Sequence, residues 1–270
     1  MNPDFEYAVF CPGGNDTALV KGIQKDPEVR REINDLIMGG HGNVEQVGFI
    51  SLPKEEPELM MAGGEFCGNA TRSTAWCLLE GKSGQLQLAV SGVDKKLEAG
   101  VTKSGEAWAQ MPIYKDPKKI SRLDDGAMLV EMQGITHVVA DNPFKDKEKP
   151  EKLKEYAYSY LEKYGLTENC PAAGLMLTTK KKGIIQMEPV VWVKAIKTLF
   201  YETACGSGTT AVGLVEAFKA GKDINIPIIQ PSGMPINVTV KFDGHQFTQA
   251  RHFFFLVKRQ LQRDTSLFPD

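Results

Sequence analysis

The chain has 270 residues, 42% hydrophobic and 24% charged, enough for one large domain or two modest ones with buried cores. Its 32 Lys and Arg against 34 Asp and Glu leave a formal net charge of −2, so no global field recruits nucleic acid or an anionic membrane. The opening MNPDFEYAVF has no signal-peptide pattern, no run approaches the roughly 20 apolar residues of a membrane helix, and the five cysteines are scattered without a CxxC pair; the expectation is free thiols in a reducing, cytoplasmic setting.

In chain order, EYAVF and VEQVGFISL read as strands: short, β-rich and bounded by turn residues. Cys67-Gly68-Asn69-Ala70-Thr71 then runs into STAWCLLEG, a stretch of helical length and period. LQLAV and KLEAGVT are strands. In YKDPKKIS proline and charge cluster, placing a domain boundary near residue 118 and giving domains 1–118 and 119–250. AMLVEMQ and THVVA are strands; KDKEKPEKLK is a solvated charge run, and EKLKEYAYSYLEKYG after it a surface amphipathic helix. LMLTT and IIQMEPVVWV are strands flanking a hairpin turn at KKKG, 180–183. Cys205-Gly206-Ser207-Gly208-Thr209 leads into TAVGLVEAFKAG, followed by the strands INVTVKF and HFFFLVKR. The segment 251–270 is compatible with a return to the first domain, which no sequence feature fixes.

The two cysteine motifs belong to a longer repeat. Ser91-Gly92 matches Ser232-Gly233, and Leu97, Val101 and Gly105 repeat the spacing of Ile236, Val240 and Gly244. A period above 100 residues indicates a duplicated domain rather than a solenoid.

A thiol at a helix start meets unsatisfied N–H groups and the positive end of the helix dipole, which favour a thiolate. The adjacent glycine lets backbone approach a ligand, and the same N-terminus suits a carboxylate. Two such turns facing each other would place one sulfur on either side of an amino-acid α-carbon. One thiolate would then remove the α-proton while the opposite thiol delivers another. The four histidines (His41, His137, His245, His252) show no metal-ligand spacing, and no metal is expected. Cys77, in the apolar stripe AWCLL, reads as core packing; Cys11 and Cys170 read as packing and loop residues, and Thr71 and Arg72 as braces of the helix start.

The segments CPGGNDTALV, EQVGFI, GGEFCGNATRS, THVVADNP, ETACGSGTTAVG and QPSGMPINVTV resemble those of the diaminopimelate epimerase fold family, in the family's order along nearly the whole chain. The resemblance implies an α/β (α+β) architecture of two pseudo-symmetric domains. Each is a barrel-like β-sheet around a central helix, with the site in the cleft between them. It also implies a cofactor-independent isomerase, a free amino acid as substrate, and a homodimer. Carried over by motif, Cys67 and Cys205 are the acid–base pair. Gly68, Asn69, Gly206 and Ser207 hold the α-carboxylate and amino group, while Asn15 and Gln46 line the pocket. His137 and Glu202 contact the substrate ammonium or tune the thiols.

Two departures bear on the substrate. Ile135 stands where the family has the asparagine of GNPH, and KTLFYETAC lacks the arginine that reads a distal carboxylate. A buried apolar wall leaves such a charge unpaired at high cost, so diaminopimelate is disfavoured. The spellings EQVGFI, EFCGNAT and ETACGSGT are more similar to the histidine racemases of nicotianamine-like metallophore biosynthesis, which points to L-histidine, with Glu45 as a contact for an imidazole N–H. The alternatives are a diaminopimelate epimerase, a proline-racemase-like isomerase, an amino-acid-binding protein without chemistry, and a thiol redox switch.

Overall fold

The computed structural model describes residues 5–194, 197–255 and 257–263. Leu256 and the last seven residues of the segment 251–270 lie outside the described residues. Its contacts divide the chain into two units: one runs to Gln110 and resumes at Phe253, the other spans Met111–His252.

In the first unit, β1 (Glu6–Cys11) and β2 (Asp16–Lys21) are antiparallel. Helix α1 (Pro27–Gly40) follows, its first turn held by Asp26, which accepts the Glu28 N–H, and by Pro27, whose missing donor costs nothing there. That helix, which the coarse strand reading passes over, is the long crossover needed to bring β3 (Val44–Ile50) parallel to β2. β4 (Glu58–Met61) is antiparallel to β3; α2 (Gly68–Leu78) comes next; β5 (Gly84–Val90) runs parallel to β4; β6 (Leu97–Val101) and β7 (Glu106–Gln110) continue antiparallel. Strand alternation sorts the apolar side chains between two layers. Tyr7, Val9, Ala18, Val20, Val47 and Phe49 pack with Ile33 and Ile37 of α1, whereas Ala8, Phe10, Leu19, Ile50 and Leu88 pack around Ala70 of α2.

The second unit comprises β8 (Ile120–Arg122), β9 (Met128–Met132), β10 (Ile135–Asp141), α3 (Pro150–Lys163), α4 (Leu166–Asn169), β11 (Ala172–Lys181), β12 (Ile184–Val193), β13 (Thr198–Tyr201), α5 (Gly206–Ala220), β14 (Ile224–Ile229), β15 (Pro235–Phe242) and β16 (Phe247–Phe255). β16 carries the chain back to the first unit at Phe253, and β17 (Val257–Arg263) pairs antiparallel with β1.

The topology repeats the first unit step for step. β9 and β10 are antiparallel, an outer helix leads to a parallel β11, β12 is antiparallel, an inner helix follows, β14 is parallel to β12, and β15 is antiparallel. β8, α4 and β13 are additions. The repeated Ser-Gly turns have a physical cause: Gly92 and Gly233 have φ of 75° and 82°, a left-handed region costly for other residues.

The chain enters the second unit earlier than the Pro- and Lys-rich segment near residue 118. Met111 is buried, its N–H donates to the Ala250 carbonyl, and Lys115 accepts from Phe247 N–H, so residues 111–115 are stitched into that unit. In the run KDKEKPEKLK every charged residue is at least partly exposed; α3 begins within it at Pro150, and Leu153 is its one buried side chain. No helix among the described residues is long and apolar enough to cross a membrane.

Both inner helices are enclosed by sheet, so their close approaches are specific. A Cβ at Gly213 of α5 would stand 2.8 and 3.0 Å from the two Val238 methyls of β15 and 3.2 Å from Val240. Gly213→Ala is therefore expected to destabilise by about 1–3 kcal/mol in urea unfolding, because branched side chains yield little in a packed core. Gly39→Ala in α1, with open space around it, is expected to be neutral or to stabilise by up to about 1 kcal/mol.

Candidate active site

Each inner helix begins at a cysteine. Cys67 (φ −132°, ψ 113°) and Cys205 (φ −119°, ψ 110°) occupy the extended N-cap position of α2 and α5. Their Sγ atoms accept from Ala70 N–H at 3.3 Å and Gly208 N–H at 3.2 Å. Their carbonyls accept both the N–H and the Oγ1 of Thr71 and Thr209, each hydroxyl at 2.7 Å. This is the geometry in which Ser, Thr, Asp or Asn ordinarily caps a helix. Cysteine is not among the residues preferred at this position, yet it holds it at both inner helices.

Around Cys67, the Gln46 carboxamide oxygen lies 2.7 Å from Sγ. Glu45, its neighbour in β3, accepts from Asn15 Nδ2 at 2.8 Å, and Asn15 is wholly buried. Adjacent strand residues normally face opposite ways. A β-bulge alters that here: Asp16 pairs with Val44 and Thr17 with Gln46, leaving Glu45 as the extra residue. Gly68 opens α2, and the buried Asn69 accepts from Arg72 Nη2 at 2.5 Å. The structure thus links Asn15 to Glu45 and Gln46 to Cys67, with Gly68 and Asn69 next to the sulfur.

In the second unit Cys205 is 2% exposed. Burial and then the hydrogen-bonded Glu202 carboxylate push its thiol well above the usual range, against smaller pulls from Ser207 and the Gly208 N–H. Ser207 Oγ is 3.6 Å from the sulfur, and Gly206 opens α5. Gln230 is a residue the sequence reading misses. Buried at the end of β14, it accepts from Cys205 N–H at 3.0 Å and donates to Thr209 Oγ1 at 3.0 Å. It sits two residues before the repeated Ser-Gly turn, where the first half has Ala89, so comparing the halves gives no signal for it.

His137 lies on β10 in register with Gly174 of β11, fully buried, and neither ring nitrogen has a hydrogen-bond partner. A Cβ at Gly174 would be 2.4 Å from its Nδ1 and 2.8 Å from Met176 Cε; one at Gly208 would be 2.1 Å from Met176 Sδ and 3.1 Å from Cys205 Sγ. The Met176 side chain therefore spans from the imidazole to the Cys205 turn. Burial pulls His137 down to about 3, opposed weakly by the nearby Gly174 backbone, which makes no bond of normal geometry. All five cysteines are free thiols. Among the described residues no group of three His, Cys, Asp or Glu side chains converges as a metal site.

A histidine held neutral in the fold but protonated near 6.5 when unfolded withdraws stability as pH falls. The loss starts near pH 6.5 and continues down to about 3, with a slope of at most about 1.4 kcal/mol per unit from this one group. Urea unfolding across that range is expected to show the decline, and His137→Leu to flatten it.

A family model described as "Histidine racemase CntK N-terminal domain" matches residues 4–251. A histidine racemase of Fusobacterium nucleatum (strain ATCC 23726) is 32% identical over 240 residues, 84% of this chain and 87% of that protein. One of Staphylococcus aureus (strain Mu50) is 27% identical over 84% of this chain and 86% of its own. Among solved structures, a hydroxyproline epimerase of Agrobacterium vitis with bound trans-4-hydroxy-L-proline superposes with a TM-score of 0.66 at 11% identity, over 96% of this chain and 91% of that one. A phenazine biosynthesis PhzF-family protein of Enterococcus faecalis gives 0.62 at 12%, over 95% and 97%. These two likenesses establish the fold.

Proposed function

Because the chain belongs to the CntK histidine racemase family, we propose that it interconverts the enantiomers of free histidine, with Cys67 and Cys205 as the acid–base pair. The observation that carries this reading is the sulfur-capped inner helix, built twice with the same hydrogen bonds. One cysteine, as thiolate, takes the α-proton; the other, as thiol, gives a proton to the opposite face. The α-carbon is inverted and the two sulfurs exchange protonation states, so the protein is left ready for the reverse reaction. Charge that develops on the substrate carboxylate in the transition state is stabilised by helix N-terminal N–H groups at Gly68, Asn69, Gly206 and Ser207.

The remaining residues supply recognition. Asn15 and Gln46 line the pocket beside Cys67, and the Glu45 carboxylate, held by Asn15, accepts an imidazole N–H. Glu202 keeps Cys205 protonated until it is needed as an acid. His137 bears on the substrate ammonium only if Met176 moves aside, given where that side chain lies. The stretch before Cys205 offers no arginine for a distal carboxylate, and Tyr201 in it donates instead to Glu188.

Incubating the protein with a panel of free amino acids in heavy water is expected to give α-deuterium incorporation into histidine alone. Exchange confined to proline or diaminopimelate, or none into any amino acid, would overturn the assignment. Cys67→Ser and Cys205→Ser are each expected to lower histidine racemisation at least about 10²-fold, the usual contribution of an acid or base. Retention of more than a tenth of the rate by both would remove the paired thiols.

A further inference from the structure

The two sulfur-capped helices differ in what lies one turn below the cap. Five residues after Cys67, α2 carries Arg72; five residues after Cys205, α5 carries Thr210. Arg72 is completely buried. Its Nη2 bonds Asn69 Oδ1, but Nε and Nη1 have no partner, and its guanidinium lies 6.0 Å from the Phe254 ring centroid. Thr210 is neutral and is bonded by His252 Nε2 at 2.6 Å and to the Gly206 carbonyl at 3.1 Å.

A buried guanidinium with one hydrogen bond and no ion pair is costly. Arg30, also buried in this unit, shows the ordinary solution: it donates to the carbonyls of Ala62, Gln24 and Lys25. Arg72 has no such set, and the described residues give it no carboxylate within ion-pair distance. On the strands against which α2 packs, the ionisable side chains are Asp16 and Lys21 of β2, Glu45 of β3, Glu58 of β4, Glu98 of β6 and Glu106 of β7. All but Asp16 are at least partly exposed, as is Glu65 just before Cys67. The acidic side chain that interacts electrostatically with Arg72 is the Cys67 thiol, at the N-cap of the same helix.

We propose that Arg72 is a positioning residue that supplies the counter-charge of Cys67, so that in the resting protein Cys67 is the thiolate and Cys205 the thiol. The Gln46 carboxamide fits either state of Cys67: as oriented its oxygen accepts from a thiol, and turned over its NH2 donates to a thiolate. Burial draws Arg72 down to about 10, which leaves it cationic at neutral pH. On the Cys205 side the charge that acts on the sulfur is the hydrogen-bonded Glu202 carboxylate, of the sign that retains a proton. The proposal rests on the two-thiol reading for its meaning in catalysis: the resting protein is set to take a proton through Cys67 and deliver one through Cys205.

The test is the pH dependence of iodoacetamide alkylation of the full-length protein, resolved for Cys67 and Cys205 by peptide mass mapping. The midpoint of each curve reports thiolate formation, whereas restricted access changes only its plateau rate. The Cys67 midpoint is expected below that of Cys205. Arg72→Met is expected to raise the Cys67 midpoint by about one pH unit, a tenfold loss of thiolate below it, with the Cys205 midpoint unmoved. Arg72→Lys, which keeps the charge, should shift it less. Coincident wild-type midpoints, a Cys205 midpoint below that of Cys67, or a folded Arg72→Met protein with an unmoved Cys67 midpoint would each overturn the proposal. If Arg72→Met does not fold, the wild-type order and the Arg72→Lys curve decide. None of these readings needs turnover, so failure of the racemase assignment in the deuterium experiment is seen separately.

Discussion

The interaction on which this protein depends is a hydrogen bond from a helix N–H to a cysteine sulfur, made at Ala70 and again at Gly208. An enclosed helix cannot leave its first N–H groups to water, so something at the N-cap must accept from them. Using sulfur fixes a titratable atom to the helix start and places it at the positive end of the dipole. The rest of each inner helix is shaped by the same enclosure. Thr71, Ser73, Thr209 and Thr210 turn their hydroxyls back to carbonyls of the preceding turn, so these four small polar residues sit in buried helices with their own donors satisfied.

The outer elements follow from what the inner helices require. A sheet that surrounds α2 from β2 to β7 has a second apolar face, and α1 covers it over Tyr7, Val9 and Phe49. In the second unit α3 does the same with Leu153, Ala157 and Leu161 over Val138, Leu175 and Val190. Duplication reproduces this layering, with its parallel crossover pairs, even where the sequences of the two halves have drifted apart.

Divergence between the copies then separates the two sulfurs chemically. In the proposed two-thiol reaction one sulfur takes a proton while the other gives one, and two identical environments would not distinguish them. Arg72 with Asn69 beneath one cysteine, and Glu202, Gln230 and the Thr210–His252 pair around the other, make the environments unequal. The bulge at Glu45 is a second local departure, since it lets two successive residues of β3 serve Asn15 and Cys67. Structures with this fold at 11–12% identity include an epimerase of hydroxyproline and a PhzF-family protein, so the scaffold does not by itself choose a substrate.

What the sequence determined by itself is everything written in local pattern: strands by alternation, inner helices by period, the duplication by matched Cys-Gly and Ser-Gly turns, and the family by motif order. Glycines at positive φ recur because a backbone conformation demands them wherever the chain turns that way. Only the tertiary structure decided that residues 111–115 join the second unit, that β17 lies beside β1, that Gln230 braces Cys205, that Met176 lies between His137 and the Cys205 turn, and that Arg72 is buried without an ion pair. Those facts depend on contacts between residues far apart in the chain. Burial and charge pairing, unlike periodicity, leave no mark on the neighbours of the residue that bears them.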